Sequence, residues 1–162
     1  MALTFEGALA DRSRWRLDNC SIAKTMDVIG TRSSMLILRE ALYGTTRFDD
    51  FARRTKITEA IVASRLKQLT DVGLFIKQPY QELGKRTRSE YLLTEKGRDL
   101  LPAVFAMMQW GNKYLQEEEG APLLLVERGT GEPVVIGART ESGRELGLED
   151  LAIVANGEWV ST

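Results

Sequence analysis

Helical spacing of apolar residues dominates the first 115 residues of the chain. Apolar positions recur every three or four residues along RSSMLILREAL, and Gly44 is placed to end that helix. TTRFDDFARRT predicts a second, shorter helix, and a third is predicted over about residues 58–72. Thr58 is a suitable N-cap for the third helix, and Gly73 suits the position just after its end. The pattern therefore predicts a helix, a tight turn and a second helix.

The period of the pattern changes after Gly73. The segment LFIKQPYQELGKRTRSEYLLT is rich in β-branched, aromatic and long side chains, with ELGKR in its middle. It predicts two antiparallel strands, at about residues 74–78 and 89–93, joined by a basic loop. A helix-turn-helix followed by a hairpin is the layout of a winged helix. The predicted fold class is therefore mainly α with a small β-hairpin wing.

A further helical segment follows Thr94, a predicted N-cap, and contains Pro102, which predicts a kink or a break between two helices. Its apolar residues lie on two stripes, and a helix that is apolar on two sides must bury both. One stripe can pack on the core of its own chain; the other needs a second chain, unless the helix is central and buried. We predict a homodimer whose interface includes Leu100, Ala103, Met107, Trp110 and Tyr114.

Short Val and Leu runs, interrupted by Gly and Pro, follow Gly120 in APLLLVERGTGEPVVIGARTESGREL. They predict small strands in a separate β-rich appendage. Three parts are therefore expected: an N-terminal arm (1–16), a winged helix-turn-helix domain for DNA binding and dimerisation (17–118), and a β-rich extension (119–162).

The chain contains one cysteine and no histidine, which narrows the chemistry it can perform. A Ser-His or Cys-His nucleophile pair is excluded, and one cysteine cannot form a disulfide within the chain or a Cys-type zinc site. We therefore expect a protein that is not an enzyme, with no catalytic residue, metal or other cofactor. Cysteine usage and the lack of a long apolar stretch or a secretory leader predict a cytoplasmic protein.

Charge is distributed unevenly along the chain. Residues 1–115 carry 19 Lys and Arg against 13 Asp and Glu, a net charge of +6, whereas residues 116–162 carry 3 against 10, a net charge of −7. A basic body with an acidic extension suggests a polyanionic partner for the body. A solvated charged surface would explain the same asymmetry.

Candidate DNA contacts lie on the third helix and on the hairpin loop. On a helical wheel Val62, Leu66 and Leu69 define the core face, and the opposite face is small and polar, as entry into the major groove requires. Arg65 falls beside the core stripe, where it is either a structural or phosphate-neighbouring residue or a reader of bases. Cations on a flexible loop next to such a helix suit phosphate contacts. The predicted DNA-binding residues are Thr58, Ala60, Ala63, Ser64, Lys67 and Gln68 on the helix, and Lys85, Arg86 and Arg88 in the wing, which spans about residues 79–90.

Three stretches carry a family resemblance: CSIAKTMDVIGTRSSMLILREALYGTTRFDDFARRT, ASRLKQLTDVGLFIKQPYQE and RSEYLLTEKGRDLLPAVFAMMQWGNKYL. Together they resemble the HxlR family of bacterial winged-helix transcription regulators, relatives of the MarR type. The resemblance covers roughly residues 17–115. It implies a homodimer with a recognition helix in the major groove and a wing near the minor groove. It also implies regulation of nearby genes, often in response to electrophiles or oxidants through the cysteine before the first helix.

The chain departs from the family pattern at positions that matter for chemistry. Ser21 stands where the family usually has proline after the leading cysteine. Some relatives with long tails resemble a small cysteine-rich ribbon, but Thr130, Arg139 and Ser142 occupy positions where such cysteines would fall. We therefore expect no zinc in the extension.

Cys20 is either an inert, packed thiol or a redox switch. It precedes a helix predicted to begin near residue 21, and the positive end of a helix favours a thiolate, as does Lys24 one turn later. With one cysteine per chain, oxidation can give a Cys20–Cys20 bond between subunits, a mixed disulfide or a sulfenic acid.

These observations predict a homodimeric transcription regulator of the repressor type that binds a palindromic double-stranded DNA operator and responds to an oxidant or small molecule. The alternative is a winged-helix adaptor that binds proteins without reading DNA, for which the small side chains of Ala60 and Ala63 and the acidic extension are the best support.

Overall fold

The computed structural model describes residues 3–11, 19–81, 83–84 and 86–155. These residues fall into two compact units. One unit lies within Lys24–Ala121, and the other combines the described residues up to Ala23 with those from Pro122 onward. Described residues of the arm and of the extension thus contribute to the same unit.

Six α-helices and six strands are formed by the described residues. The helices are α1 (Ser21–Ile29), α2 (Arg32–Leu42), α3 (Phe48–Thr55), α4 (Glu59–Asp71), α5 (Glu95–Arg98) and α6 (Leu101–Tyr114). The strands are β1 (Thr4–Phe5), β2 (Phe75–Tyr80), β3 (Arg88–Leu93), β4 (Ala138–Arg139), β5 (Glu145–Leu146) and β6 (Ala152–Ile153). The predicted fold class, a winged helix-turn-helix with a small β-rich appendage, is confirmed. No helix in the described ranges combines the length and apolar content that crossing a bilayer requires.

Two helix ends close with the same motif around a glycine. At the end of α2 the Gly44 N–H donates to Ala41 O (3.0 Å) and the Thr45 N–H to Glu40 O (3.0 Å), with Gly44 at φ +91°. The end of α4 repeats the pattern, with Gly73 at φ +79°. Because glycine adopts this left-handed conformation without a Cβ clash, it satisfies two otherwise orphaned carbonyl groups at each helix end. The two predicted helix ends are therefore confirmed.

The core of the Lys24–Ala121 unit is formed where α2, α3, α4 and β2 meet. Val62, Leu66 and Leu69 are fully buried, so the predicted core face of α4 is confirmed. Phe51 of α3 and Phe75 of β2 meet edge to face, with ring centroids 6.3 Å apart. This packing fixes α3, α4 and the base of the wing relative to one another.

The hairpin is longer than predicted. β2 and β3 pair antiparallel from Phe75 with Leu93 to Tyr80 with Arg88. The segment before α3 adds to the same sheet edge, because Arg47 bridges Glu90 and the Tyr91 N–H donates to Thr46 O (2.8 Å). The wing is thereby attached to the start of α3 as well as to the end of α4.

Pro102 marks a helix start. It occupies the first turn of α6, where its missing N–H leaves no hydrogen bond unmade. Of the two alternatives, a kink or a break between two helices, the break is the one observed. Thr94 caps α5, since its Oγ1 accepts from the Gly97 N–H at 3.1 Å.

The second unit contains short strand pairs. β1 pairs in parallel with β6, and β4 pairs antiparallel with β5. The three residues that the resemblance placed at cysteine positions contact neighbouring side chains: Thr130 donates to Glu127, Arg139 pairs with Glu145 (2.8 Å), and Ser142 Oγ lies 2.9 Å from Thr140 Oγ1. No group of metal-ligating side chains converges among residues that the structure describes.

Candidate nucleic-acid interface

The outer face of α4 is exposed along its length. Ala60, Ala63, Ser64 and Lys67 are all exposed, and Thr58 is exposed at the N-cap position, where its side chain makes no capping hydrogen bond. Lys67 Nζ lies 2.5 Å from Asp71 Oδ2, one turn along the same helix. An exposed pair of this kind contributes only a few tenths of a kcal/mol, so the ammonium group can exchange its partner at low cost. These five predicted DNA-binding residues therefore share one accessible surface.

Ile61 also belongs to the exposed surface of α4, which sequence reasoning missed. Its side chain is 45% exposed, between the core face and the outer face of the helix. An apolar side chain at such a position can contact the methyl group of a thymine in the major groove. The helical wheel placed Val62, Leu66 and Leu69 on the core face and gave no signal for Ile61.

Arg65 and Gln68 are engaged within the protein. Arg65 donates through Nε to Ser33 Oγ (3.3 Å) on α2 and through Nη1 to Gln68 Oε1 (2.6 Å). The guanidinium group therefore links α4 to α2, which favours the structural interpretation of Arg65. The Gln68 amide oxygen is already an acceptor in this arrangement.

The wing presents two described arginines. Arg86 and Arg88 are exposed, and Arg88 Nη1 pairs with Asp49 Oδ2 of α3 at 3.0 Å. Lys85, the third predicted wing cation, lies outside the described residues. Lys77 Nζ lies 5.8 Å from the centroid of the Tyr91 ring. The exposed charge of the wing is thus concentrated on Arg86 and Arg88 in the described part of the chain.

Two further basic residues of this region serve the protein's own backbone. Lys96 Nζ donates to Val72 O (2.7 Å), and Arg98 Nη1 donates to Leu93 O (2.8 Å). Thr94 Oγ1 donates to Gly73 O (2.7 Å) at the same junction. These hydrogen bonds hold the end of α4 against the base of the wing, so the relative position of helix and wing depends on them.

The predicted dimerisation surface on α6 divides between core and solvent. Leu100 packs against the core, whereas Ala103, Met107, Trp110 and Tyr114 are exposed. Met107, Trp110 and Tyr114 are each 58% exposed. Val104 of the second stripe is buried. One face of α6 therefore packs on its own chain and the other presents a contiguous apolar stripe.

Cys20 is half-buried and directly precedes Ser21, the first residue of α1. The predicted helix start is confirmed. On the helix that follows, Ile22 and Met26 expose 76% and 54% of their surfaces. Cys20 therefore precedes a helix that exposes two large apolar side chains.

Comparison with known proteins decides the family. The model of the HxlR-like helix-turn-helix family matches residues 28–119, more than half of the chain. The protein belongs to the HxlR-like family. Its match includes α2 to α6 and the wing, the elements that carry the surface described above.

Relatives of this HxlR-like protein bear regulator names. It is 42% identical over 125 residues to an uncharacterised HTH-type transcriptional regulator, Mb3122, of Mycobacterium bovis, covering 77% of each chain. It is also 31% identical over 105 residues to the HTH-type transcriptional regulator YdeP of Bacillus subtilis, covering 64% of this chain and 80% of YdeP. The chain is accordingly a member of a DNA-binding family of HTH-type transcriptional regulators, and its relatives belong to a class of proteins that are not enzymes.

Solved structures share its fold. PA1607, a candidate transcription factor, has a TM-score of 0.74 and 36% identity, and the match covers 85% of this chain and 95% of PA1607. The redox regulator HypR in its reduced form has a TM-score of 0.52 and 30% identity, over 59% of this chain and 96% of HypR. The larger coverage with PA1607 shows that the likeness to that structure extends beyond the winged helix.

Proposed function

We propose that this HxlR-like protein is a homodimeric repressor that inserts α4 into the major groove of an operator and places its wing on the DNA backbone and adjacent minor groove. The exposed outer face of α4 carries the proposal, because the opposite face is completely buried in the core. Small side chains at Ala60, Ala63 and Ser64 allow the helix backbone to approach base edges closely. Lys67 supplies a donor for guanine or for a phosphate oxygen.

Selection from random duplexes tests operator recognition directly. We expect an enriched palindrome with half-sites about one helical turn apart, since two-fold protein symmetry imposes two-fold DNA symmetry. Substituting Ser64→Ala or Lys67→Ala should change the preferred bases. Absence of any enriched motif would contradict specific readout and favour the protein-binding adaptor.

The wing is tested by salt dependence. A Lys85→Gln, Arg86→Gln, Arg88→Gln variant should bind all duplexes more weakly and flatten the slope of log affinity against log salt by about 0.9 for each phosphate that the wing no longer neutralises. The control variant, Arg128→Gln, Arg139→Gln, Arg144→Gln, removes the same charge from the extension, outside α4, the wing and α6. Equal slopes for the two variants would refute a direct role of the wing in binding DNA.

We expect dimerisation through the exposed apolar stripe of α6, because the opposite face of this helix already packs on its own chain. Trp110 and Tyr114 form a ring pair with centroids 5.6 Å apart within this stripe. Large aromatic side chains of this kind are typical interface anchors. The bound dimer would then repress transcription by occluding a promoter. Transcription in vitro from a template that carries the selected operator tests this, since a repressor lowers the amount of transcript and an activator raises it.

We also propose that Cys20 makes DNA binding sensitive to oxidants. Two Cys20 thiols of a dimer would lose two protons and two electrons to an oxidant such as diamide and form one S–S bond between subunits. The likeness to HypR, itself a redox regulator, supports this assignment. Diamide should release DNA from the protein, and a thiol reductant should restore binding. Release that persists in Cys20→Ser would contradict the sensor role.

A further inference from the structure

A cleft lined by arginines lies between α3 and the wing, next to the surface assigned to DNA. Its volume is about 200 Å³, and it is lined by Arg47, Asp49, Asp50, Arg53, Tyr80, Arg86 and Arg88. Four guanidinium groups and two carboxylates give it a net charge of +2. Arg47 and Arg53 were not among the residues predicted to bind DNA, because both precede α4 in the chain.

Three of these guanidinium groups contact other side chains of the protein, two through ion pairs and one through an aromatic ring. Arg88 pairs with Asp49 at 3.0 Å, and Arg53 pairs with Asp50. The Arg47 guanidinium carbon lies 4.7 Å from the centroid of the Tyr80 ring. Because the two ion pairs are exposed and weak, they orient these side chains toward the cleft without fixing them, which lowers part of the entropic cost of ordering the side chains when a ligand binds.

Both ion pairs leave guanidinium donors available. The Arg88 pair uses Nη1 and the Arg53 pair uses Nη2, whereas each guanidinium group carries five N–H donors. Planar donor forks of this type match the oxygens of a phosphate group. The two carboxylates contact two of the arginines and lower the net charge of the cleft from +4 to +2.

We propose that this cleft binds one phosphate group, with Arg53 and Arg86 as direct ligands and Asp49 and Asp50 as positioning residues. The proposal rests on the DNA-binding function proposed above and extends its surface to α3. A phosphate of the operator backbone is the source that the location favours, because Arg86 and Arg88 belong to the wing. Inorganic phosphate has the same chemistry and is the other source that experiments must separate.

Salt-dependent binding to a duplex tests the proposal with the full-length protein. Arg53→Gln should lower affinity about five- to ten-fold per bound subunit near 0.1 M salt and reduce the salt slope by about 0.9 per subunit. Arg54→Gln is the matched control, since Arg54 is an exposed neighbour on the same helix that does not line this cleft. Equal affinities and slopes for Arg53→Gln and Arg54→Gln would overturn the proposal. Failure of the unmodified protein to bind any duplex would instead overturn the DNA-binding function itself.

The source of the phosphate is separated by a second measurement. Inorganic phosphate is titrated at constant ionic strength, and the arginine side-chain N–H signals are followed by NMR in the unmodified protein and in Arg53→Gln. Shifts in the unmodified protein that are absent from Arg53→Gln would show that the cleft also accepts free phosphate. A weakened duplex complex without such shifts assigns the site to the DNA backbone alone, and the absence of both effects refutes it.

Discussion

Gly97→Ala is expected to loosen the junction between α4 and the wing. Gly97 is buried in α5, and a Cβ built on it would lie 2.4 Å from the carbonyl oxygen of Leu74 and 2.8 Å from Leu93 Cδ2. The Leu74 carbonyl cannot move freely, because it accepts hydrogen bonds from the Thr94 N–H (3.1 Å) and from Thr94 Oγ1 (3.3 Å). The added methyl group must therefore displace backbone at the base of the wing.

The size of the effect follows from two opposing terms. Overpacking of this kind costs about 1–3 kcal/mol, and the shorter of the two approaches is to backbone, which favours the upper end. Alanine regains about 0.5–1 kcal/mol over glycine within a helix. We expect a net loss of about 2 kcal/mol in the free energy of unfolding, or about 1 M in the urea midpoint for a slope near 2 kcal/mol per M.

Urea unfolding followed by far-UV circular dichroism measures this loss. Gly111→Ala in α6 is the matched control, because a Cβ there would meet no atom within 4 Å, and its stability should stay constant or rise slightly. Light scattering on both variants checks that assembly is unchanged. If Gly97→Ala is as stable as Gly111→Ala, the junction is not as tightly packed as the reasoning requires.

Three further variants, two single and one double, test the core, the junction and the interface separately. Phe51→Ala removes a fully buried ring and should cost about 3–5 kcal/mol in unfolding free energy, measured by denaturant titration; a loss below about 1 kcal/mol would contradict its core role. Thr94→Val removes the acceptor for the α5 cap and the donor to Gly73 O, so we expect a loss of about 1–2 kcal/mol by the same assay, whereas an unchanged midpoint would refute the contribution of both bonds. The double variant Met107→Glu, Trp110→Glu should be a folded monomer, with its mass measured by light scattering. Ile61→Glu is the control, because it alters another exposed apolar side chain and should leave assembly intact. If the double variant has the same mass as Ile61→Glu, α6 is excluded as the interface.

Much of the fold was predictable because local physical rules agree with the packing. Glycine is the residue that best tolerates the left-handed turns after α2 and α4, so Gly44 and Gly73 marked both helix ends. The apolar stripe of Val62, Leu66 and Leu69 indicated the buried face of α4 and, by exclusion, the exposed one. The change of pattern after Gly73 predicted a hairpin but not its full length, because strand ends depend on pairing across the sheet.

The sequence by itself determined the order of the helices and the hairpin, the ends of α2 and α4, the core face of α4 and the family, since each depends on patterns along the chain. Tertiary structure alone decided the partners of the charged side chains that bond to other elements. Arg65 bonds to Ser33, 32 positions away, and Arg88 pairs with Asp49, 39 positions away, so neither partner could be read from local spacing. The cleft that brings Arg47 and Arg53 to the wing also depends on contacts between segments that are far apart in the sequence. Charges act on whichever groups folding places within a few ångströms, whereas helix and strand patterns are set by near neighbours.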